Sequence, residues 1–443
     1  MVVSPSNPAS SASEVSRQIQ LSSPVIAFAT SSTSHKLPSS LPTLLLDSPL
    51  FLSLFSTSSS SSSSSDVPRR HHHLLGPTSV RQSDPAAILY SSGTTGNVKG
   101  VVLTHRNLMS VVAGMYAVRE ERAEPSVLLL TVPMFHAYGF VYCLKAAAMG
   151  ETVVVVEGRF EVERMMKAVE EFAVTHVATA PPVVVAMAKG EVADRYAVRS
   201  LERTICGGAP LRTETIEWFK ARFPNVLLQQ GYALTETTGV AFRMVGPEEI
   251  SHLGSVGRLV PYSEAKIVDP GTGITQSPCM LGELWIRGPL IMKGYLGDES
   301  ATAATINSDG WLKTGDLCYI DNDGFLFVVD RLKELIKYNG YQVPPAELEQ
   351  LLLTHPEITE AAVIPYPDEE AGQVPMAFVV RRPNSNLNEA QIMEFVARQV
   401  APYKKIRRVS FINSIPKNPS GKLLRKDLVK LATSSSGSPS SRL

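Results

Sequence analysis

A glycine-rich loop directly after the apolar run at residues 86–90 carries residue types that suit phosphate chemistry. Its hydroxyls, glycines and single cation are Ser91, Ser92, Gly93, Thr94, Thr95, Gly96 and Lys99. Backbone N–H groups, hydroxyls and a lysine on one flexible loop can bind a polyphosphate, although an ordinary surface turn has a similar composition. The loop is not a Walker A loop, because Val98 stands where that motif needs its second glycine. Nucleotide binding therefore needs support from residues elsewhere in the chain.

Single side chains further along the sequence could complete such a site. Asp316 can accept hydrogen bonds from two vicinal ribose hydroxyls, but it follows Thr314-Gly315 and could equally cap a turn. Lys422 lies in a turn before the last predicted helix, where an isolated lysine is more often a solvated surface group. His136 is either a functional side chain or a loop residue whose ring nitrogens are hydrogen-bonded locally.

The elements that would position these residues are apolar strands alternating with helices. The strand-like runs are residues 152–156, 176–180, 204–206 and 226–229. The helical stretches between them are residues 161–172 and 212–222. This alternation predicts a mostly parallel sheet covered by helices. Ligands of such folds gather at the carboxyl ends of the strands, so we expect the loops after Tyr90, Cys206 and Gln229 to converge.

Composition divides the chain into unequal parts. Residues 1–82 are a serine-rich, low-complexity leader that we expect to be mostly disordered, with a plastid or other organellar transit peptide as one reading. Residues 83–330 would form a large domain that becomes richer in β-strands near its end. Residues 331–432 would form a small mobile α+β domain after a hinge, and residues 433–443 a flexible tail.

Charge and cysteine content exclude several classes of protein. Lys+Arg and Asp+Glu each number 42 in 443 residues, so the balance indicates no nucleic-acid partner. The 4 cysteines lie far apart without a Cys-x-x-Cys pair, which argues against zinc ligation and a disulfide framework. The sequence contains no apolar run long enough for a transmembrane helix.

Several longer motifs occur in a fixed order from about Asp84 to Ala432: SSGTTGNVKG, PMFHAYG, QGYALTE, WLKTGD, DRLKELIKYNGYQV and PKNPSGKLLRK. Together they resemble the adenylate-forming acyl-CoA synthetase superfamily and, within it, the plant 4-coumarate:CoA ligase-like group. The resemblance implies an α/β fold with a large domain of helix-covered sheets, a β-rich subdomain and a small mobile domain. It also implies a two-step reaction with ATP, Mg²⁺ and CoA. A carboxylic acid first forms an acyl-adenylate, and the CoA thiol then displaces AMP.

The resemblance also assigns roles to individual residues. Those implied in catalysis are Lys422, which bridges the attacking carboxylate and the α-phosphate, His136 at the acyl gate, and Lys337. Residues implied in ATP or AMP binding are those of the loop at Ser91–Lys99 together with Gly208, Ala209, Gln230, Gly231, Tyr232, Thr235, Asp316, Arg331 and Gln342. Tyr232 would stack on adenine, and Glu236 would hold Mg²⁺ through oxygen. The implied acyl pocket is His136, Tyr138, Gly207, Ala233, Gly239 and Val240, and the implied CoA contacts are Lys333, Gly340 and Tyr341.

The chain departs from the hydroxycinnamate-using members of this group. Those members have Gly-Tyr-Gly followed by a Gly-Pro-Val wall, whereas this chain has Ala233 and then Thr238-Gly239-Val240. We therefore expect a fatty acid or an oxo-cyclopentenyl jasmonate precursor rather than 4-coumarate, with phenylpropanoids still open. About 85 residues precede the glycine-rich loop, fewer than the family normally has, which predicts an N-terminally truncated large domain.

The C-terminal tripeptide Ser441-Arg442-Leu443 resembles the Ser-Lys-Leu peroxisomal signal and would bind the import receptor. Peroxisomal location is thus expected, with cytoplasm or plastid as alternatives. Two other functions stay open: an adenylating domain with an acceptor other than CoA, and a non-catalytic remnant that binds nucleotide. Exchange of pyrophosphate into ATP and formation of the thioester distinguish the three.

Overall fold

The computed structural model describes residues 1–56, 79–91, 98–119, 121–158, 160–190, 195–209, 211, 213–339, 341–417 and 423–435. Several predicted site residues lie outside the described residues: Ser92, Gly93, Thr94, Thr95, Gly96, Gly340, Lys422, Ser441, Arg442 and Leu443.

The strands, in chain order, are β1 Ala27–Ala29, β2 Thr43–Leu45, β3 Pro85–Ser91, β4 Lys99–Thr104, β5 Val127–Leu130, β6 Thr152–Val155, β7 His176–Thr179, β8 Arg203–Cys206, β9 Leu227–Leu234, β10 Gly239–Arg243, β11 Arg258–Leu259, β12 Glu264–Val268, β13 Gly282–Arg287, β14 Gly294–Tyr295, β15 Leu312–Ile320, β16 Leu326–Arg331, β17 Ile336–Tyr338, β18 Tyr341–Val343, β19 Ile358–Asp368, β20 Gly372–Arg381 and β21 Arg408–Phe411. The α-helices are α1 Ala12–Ser22, α2 Pro49–Ser56, α3 His105–Ala117, α4 Ala137–Met149, α5 Val162–Glu171, α6 Pro181–Lys189, α7 Thr213–Arg222, α8 Pro247–Ile250, α9 Glu299–Thr305, α10 Pro345–Leu353, α11 Glu389–Ala397 and α12 Arg425–Ser435.

The central sheet has 7 strands in the order β11-β10-β9-β8-β7-β5-β6. Strands β5 to β9 pair in parallel, whereas β10 and β11 add an antiparallel edge. Helices α5, α6 and α7 cover one face, where Met165, Met166 and Phe219 are fully buried against the strands. Burial on both faces explains why the parallel strands read as continuous apolar runs in the sequence.

Smaller sheets complete the large domain. Strands β12, β13, β15 and β16 form an antiparallel sheet of 4 strands, and β14, β4 and β3 form one of 3 strands. Helix α3 begins after Thr104, whose hydroxyl accepts from the Asn107 backbone N–H at 3.2 Å. This cap fixes the end of the β3–β4 hairpin, because Thr104 is also the last residue of β4.

The C-terminal part is a separate α+β unit with its own core. Strands β17 to β20 form a sheet with β21 in parallel beside β20, and α10, α11 and α12 pack against it. Pro345 begins α10, as its missing N–H predicts. The predicted fold class, a large α/β domain with a small α+β domain, is confirmed. The exact domain boundaries stay predictions.

The expected disorder of residues 1–82 is wrong for the part that the structure describes. Val3 pairs in parallel with Ala87 of β3, and α1 is capped by Ser11. The Ser4 hydroxyl lies 2.7 Å from the Tyr90 hydroxyl. Serine-rich composition suggested a leader, but these serines cap helices and turns around a few apolar contacts to β3 and β4. Residues 57–78 lie outside the described ranges.

Each of the described helices is too short or too polar to span a membrane.

Candidate active site

A cavity of about 1460 Å³ lies at the carboxyl ends of the central strands and extends to the small domain. Two of the three predicted positions reach it, through Ser91 at the end of β3 and Gly207 in the loop after β8. The prediction of a loop directly after Gln229 is wrong, because β9 continues to Leu234, and the strand itself reaches the cavity at Gly231. The small domain contributes its own wall, in which Arg425 is the first residue of α12. The site is therefore composite, with parts drawn from both domains.

Strands β3 and β4 hold the two described ends of the glycine-rich loop. Ser91 and Lys99 are direct partners in this antiparallel hairpin, and both side chains line the cavity. The buried Ser91 hydroxyl has no hydrogen-bond partner among the described residues. The hairpin thus presents one hydroxyl and one ammonium group to the same space, an arrangement suited to an anion.

Tyr295 links the hairpin to the acidic residue expected to bind magnesium. The Lys99 ammonium lies 4.4 Å from the centre of the Tyr295 ring. The Tyr295 hydroxyl donates to the Glu236 carboxylate at 2.9 Å. Burial and the negative charge of Glu236 both raise the pKa of Tyr295, so its hydroxyl stays protonated and fixes the carboxylate. Nothing in the sequence around Tyr295 signalled this role.

The residues present fit a Mg²⁺ ion held mainly by the nucleotide. Among the described residues, no group of three or more His, Cys, Asp or Glu side chains could hold a metal. Glu236 is nevertheless a hard oxygen ligand beside the hairpin, and Mg²⁺ in such sites typically takes one or two carboxylates together with phosphate oxygens and water. A single carboxylate is therefore compatible with magnesium carried in by ATP.

Asp316 lies at the centre of a buried charged network. The Arg331 Nε lies 3.1 Å from Asp316 Oδ1, and the Tyr232 hydroxyl donates to Oδ2 at 2.6 Å. The Asp316 backbone N–H donates to the Thr314 hydroxyl at 3.1 Å. Desolvation alone would lower the pKa of Arg331, but the charges of Asp316 first, and then of Glu334 and Glu236, together outweigh it and the pKa is raised. Three separate motifs of the sequence therefore meet at one carboxylate.

Tyr232 lies below the cavity in the large-domain core. Its ring is 8% exposed, packs edge-on against Phe242 with centroids 6.3 Å apart, and is not among the residues that line the cavity. Burial first, and Asp316 second, raise the pKa of its hydroxyl well above the usual value. The observed contact of Tyr232 is thus with Asp316. Its stacking on adenine stays a prediction.

The loop after β8 brings backbone close to the cavity. The Gly207 N–H donates to the Thr179 carbonyl at 3.1 Å, which extends the β7–β8 pairing by one residue. Gly208 has a φ of +91°, a conformation that favours glycine. A Cβ on Gly207 would lie 3.4 Å from the Tyr138 ring, so the glycine permits close packing there. Ala209 follows Gly208 in this loop.

The predicted acyl-pocket residues come together around α4. His136 is the N-cap of α4, with its Nδ1 accepting from the Tyr138 backbone N–H at 3.5 Å, and its exposed side chain lines the cavity. The Tyr138 hydroxyl donates to the Ile205 carbonyl at 2.8 Å, which ties α4 to β8. Ala233 and Val240 are direct partners on β9 and β10, and Gly239 lies against Val141 of α4.

Some predicted residues of the small domain are not at the cavity in this structure. Lys337 and Gln342 are partners in the β17–β18 hairpin, and both side chains are exposed and outside the cavity lining. Tyr341 stacks on Tyr403 with centroids 4.4 Å apart. Of the predicted CoA contacts that the structure describes, Lys333 alone lines the cavity.

Arg425 occupies the small-domain side of the cavity, and sequence reasoning missed it. Its Nε donates to Glu334 at 2.7 Å, and its other nitrogens contact the buried Glu349 carboxylate. Desolvation would lower the pKa of Arg425, but Glu349 and Glu334 outweigh it and the pKa is raised. Arg425 therefore binds the first turn of α12 to the hinge segment and to α10.

Asp330 marks the point where the chain leaves the large domain. Its carboxylate accepts from the backbone N–H groups of Arg331 at 2.7 Å and Ala346 at 2.8 Å. It therefore caps α10 of the small domain. Burial raises the pKa of Asp330 to about 6, although both hydrogen bonds oppose this. The predicted hinge is thus linked to the small domain by the hydrogen bond from the Ala346 N–H to the Asp330 carboxylate.

Comparisons with known proteins settle the family. The AMP-binding enzyme family matches residues 1–296, and its C-terminal domain matches residues 347–422. The chain belongs to this family. The match from residue 1 agrees with the ordered N-terminal elements. The predicted recognition is therefore confirmed.

Curated relatives are CoA ligases of plants. The 4-coumarate–CoA ligase-like 9 protein of Arabidopsis thaliana is 54% identical over 99% of this chain and 77% of its own length. Peroxisomal OPC-8:0-CoA ligase 1 of the same plant is 48% identical over 98% of this chain and 80% of its own length. These likenesses confirm the prediction of an adenylate-forming acyl-CoA ligase and leave the acid undefined.

Solved structures agree with this assignment. The o-succinylbenzoate CoA synthetase of Bacillus subtilis, solved with an acyl-adenylate intermediate, has a TM-score of 0.79 and 27% identity, covering 94% of this chain and 81% of its own. The same enzyme has also been solved with ATP and a magnesium ion, with a TM-score of 0.78. The ATP-bound MatB of Rhodopseudomonas palustris, at 24% identity and a TM-score of 0.84, supports the fold.

Proposed function

We propose that this protein is an ATP-dependent carboxylate–CoA ligase. The supporting observation is that Ser91 and Lys99 of the hairpin, Glu236, and Arg331 and Thr314, which contact the buried Asp316, line one cavity that continues into an apolar pocket. In the first step, a carboxylate oxygen attacks the α-phosphorus of ATP and pyrophosphate leaves. In the second, the CoA sulfur attacks the acyl carbon, AMP leaves with the bonding pair, and the thiol proton passes to solvent.

The proposed nucleotide contacts follow the charges of the site. Lys99 and the Ser91 hydroxyl bind the β- and γ-phosphates together with the rest of their loop, and Thr235 donates to phosphate. Magnesium, held through Glu236, supplies positive charge where the transferred phosphate becomes more negative. Asp316 accepts from the ribose hydroxyls, and Tyr232 and Arg331 keep its carboxylate oriented toward them. Gln230, Gly231, Gly208 and Ala209 border the adenine.

Two poses of the small domain would serve the two steps. Lys422 neutralises the attacking carboxylate and the α-phosphate in the adenylation pose. Lys337 and Gln342, which are exposed on the β17–β18 hairpin here, would reach the adenylate after rotation about Asp330. Lys333, Gly340 and Tyr341 would then border the channel for CoA.

The proposed acid is amphipathic and long. The pocket walls are mainly apolar and include Met115, Val141, Val240 and Met244. A fatty acid or an oxo-cyclopentenyl precursor of jasmonate suits these walls. One relative is named as an OPC-8:0-CoA ligase of the peroxisome, which supports the same substrate class. Phenylpropanoid acids are the alternative.

Exchange of labelled pyrophosphate into ATP, followed by thioester formation, tests the proposal. We expect acid-dependent exchange and then an acyl-CoA product. Exchange without thioester would favour a non-CoA acceptor, and nucleotide binding without exchange for every acid would favour a remnant. Lys422→Ala should abolish exchange yet still convert supplied acyl-adenylate to thioester. Lys417→Ala is the matched control, because Lys417 pairs with Glu360 at 2.9 Å outside the cavity. Equal loss of both steps in Lys422→Ala would contradict its role.

We also propose peroxisomal import through Ser441-Arg442-Leu443. The support is the tripeptide itself, together with the relative named as peroxisomal. A fluorescent protein carrying the last residues of the chain should enter peroxisomes, and one without the tripeptide should not. A diffuse signal from both would refute this proposal while leaving the catalytic one unaffected.

A further inference from the structure

A β-bulge turns Arg243 toward the acyl pocket. Val240 pairs with Ala233, but the register then shifts, so that Phe242 pairs with Tyr232 and Arg243 with Gly231. Ala233 and Gly231 lie two residues apart and share one face of β9, so their partners Val240 and Arg243 share that face as well. Simple alternation along β10 would have placed Arg243 on the opposite face. The side-chain positions agree, because a Cβ on Gly231 would lie between Val240 and Arg243.

Arg243 lies farther along the pocket than the predicted acyl wall. Glu236 directly follows the carboxyl end of β9. Moving away from Glu236 along β9, the Ala233–Val240 pair comes first and the Gly231–Arg243 pair second. Two residues of strand correspond to roughly 7 Å. Arg243 is therefore at the remote end of a pocket whose reacting carboxylate would lie near His136 and the nucleotide.

The guanidinium of Arg243 has no acidic partner within ion-pair distance among the residues that the structure describes. Among the described residues, its guanidinium makes no hydrogen bond or ion pair, although it lines the cavity and is half-buried. The carboxylate of Glu151 is already paired with the ammonium group of Lys145. The Tyr142 hydroxyl also lacks a hydrogen-bond partner in the described part of the chain, and Tyr142 is a cavity residue. Burying such polar groups unpaired is costly unless a ligand or water satisfies them.

We propose that Arg243, assisted by the Tyr142 hydroxyl, binds a second oxygen acceptor at the remote end of the acid substrate. The substrate class is then an amphipathic carboxylic acid with an apolar middle and a terminal ketone or second carboxylate. A guanidinium fork can donate to either group, and a carboxylate can accept two parallel bonds from it. This inference rests on the proposed ligase function and narrows its substrate.

Acids of one chain length test the inference and distinguish the two acceptors. Decanoic acid, decanedioic acid and decanoic acid with a ketone at the penultimate carbon would be compared by kcat/KM in thioester formation. The native protein should prefer one or both oxygen-bearing acids. In Arg243→Met, the ratio of kcat/KM for the preferred acid over decanoic acid should fall about ten- to hundredfold, the usual effect of one lost hydrogen bond to a charged group. Arg243→Lys should restore part of the ratio, more for the dicarboxylic acid.

Arg258→Met is the matched control, because Arg258 neighbours Arg243 on β11 but donates to the Asp323 carbonyl outside the cavity. Its ratio should equal that of the native protein. An unchanged ratio in Arg243→Met would overturn the inference. Thioester formation from decanoic acid by the same variant would still support the proposed ligase function. If no acid is turned over, the proposed function fails. Calorimetry with decanedioic acid and with the oxo acid then decides the inference separately. Arg243→Met should weaken the binding of at least one of these acids, and Arg258→Met should weaken neither.

Discussion

Acid stability of the fold should depend on one buried histidine. His176 of β7 is 8% exposed and lies between Leu128 of β5 and Arg203 of β8. Its Nδ1 lies 2.8 Å from the Thr175 hydroxyl. Burial, followed by the positive charges of Lys145, Arg203 and Arg122, lowers the pKa of His176 to about 3. The folded protein therefore keeps this imidazole neutral throughout the physiological range.

The sign of the effect follows from proton linkage. The unfolded chain protonates His176 near its ordinary pKa of about 6.5, whereas the folded protein does not, so the unfolded state gains stability as the pH falls below that value. A pH of about 5 lies roughly 1.5 units below the pKa of His176 in the unfolded chain, which corresponds to a loss of about 2 kcal/mol in the free energy of unfolding. His176→Gln removes the titrating group while keeping a polar side chain of similar size.

Urea unfolding of the native protein and of His176→Gln, at about pH 7.5 and about pH 5, measures this difference. The variant should gain about 2 kcal/mol relative to the native protein between the two pH values, whatever its stability at the higher one. His35→Gln, which changes an exposed histidine, is the control and should show no such relative gain. A parallel pH dependence of the native protein and His176→Gln would refute the reasoning.

Two further expectations concern the nucleotide site and the hinge. Tyr232→Phe removes the 2.6 Å bond to the buried Asp316 carboxylate, so kcat/KM for ATP in pyrophosphate exchange should fall about tenfold or more, and an unchanged value would contradict the orienting role. The pKa of Asp330, raised to about 6 from an unfolded value of 3.8, means that the native protein loses stability as the pH rises through this interval. Asp330→Asn should therefore gain stability relative to the native protein between about pH 4 and about pH 6 in urea unfolding, and a constant difference would show that the carboxyl does not titrate there.

Local sequence patterns were sufficient to predict most elements of the fold. The helical stretch predicted at residues 161–172 corresponds to α5, Val162–Glu171, and Pro345 stands in the first turn of α10. Such signals are local, because helix periodicity and a proline at the first turn depend on neighbours in the chain. The expected convergence was correct for the loop after β8, since parallel strands end at the same edge of their sheet. The same reason does not hold for β3, which belongs to an antiparallel hairpin, and β9 continues beyond Gln229.

Composition was misleading at the N-terminus. Serine-rich segments often lack a core, but here Val3 pairs with β3, and the Cβ position of Gly100 lies 3.1 Å from Leu21 of α1. These contacts join residues far apart in the chain. A pattern confined to one segment carries no information about them.

The sequence by itself determined the family and the chemical groups of the site. Hydroxyls, a lysine and a carboxylate in ordered motifs already indicated ATP-dependent acyl transfer, because those groups are what the charges of that reaction need. Only the tertiary structure decided what each side chain contacts. It placed Tyr232 beneath Asp316, joined Tyr295 to Glu236, and used a bulge at Ala241 to turn Arg243 into the pocket. Strand register and burial depend on pairing between distant segments, and a one-residue shift reverses the face that a side chain occupies.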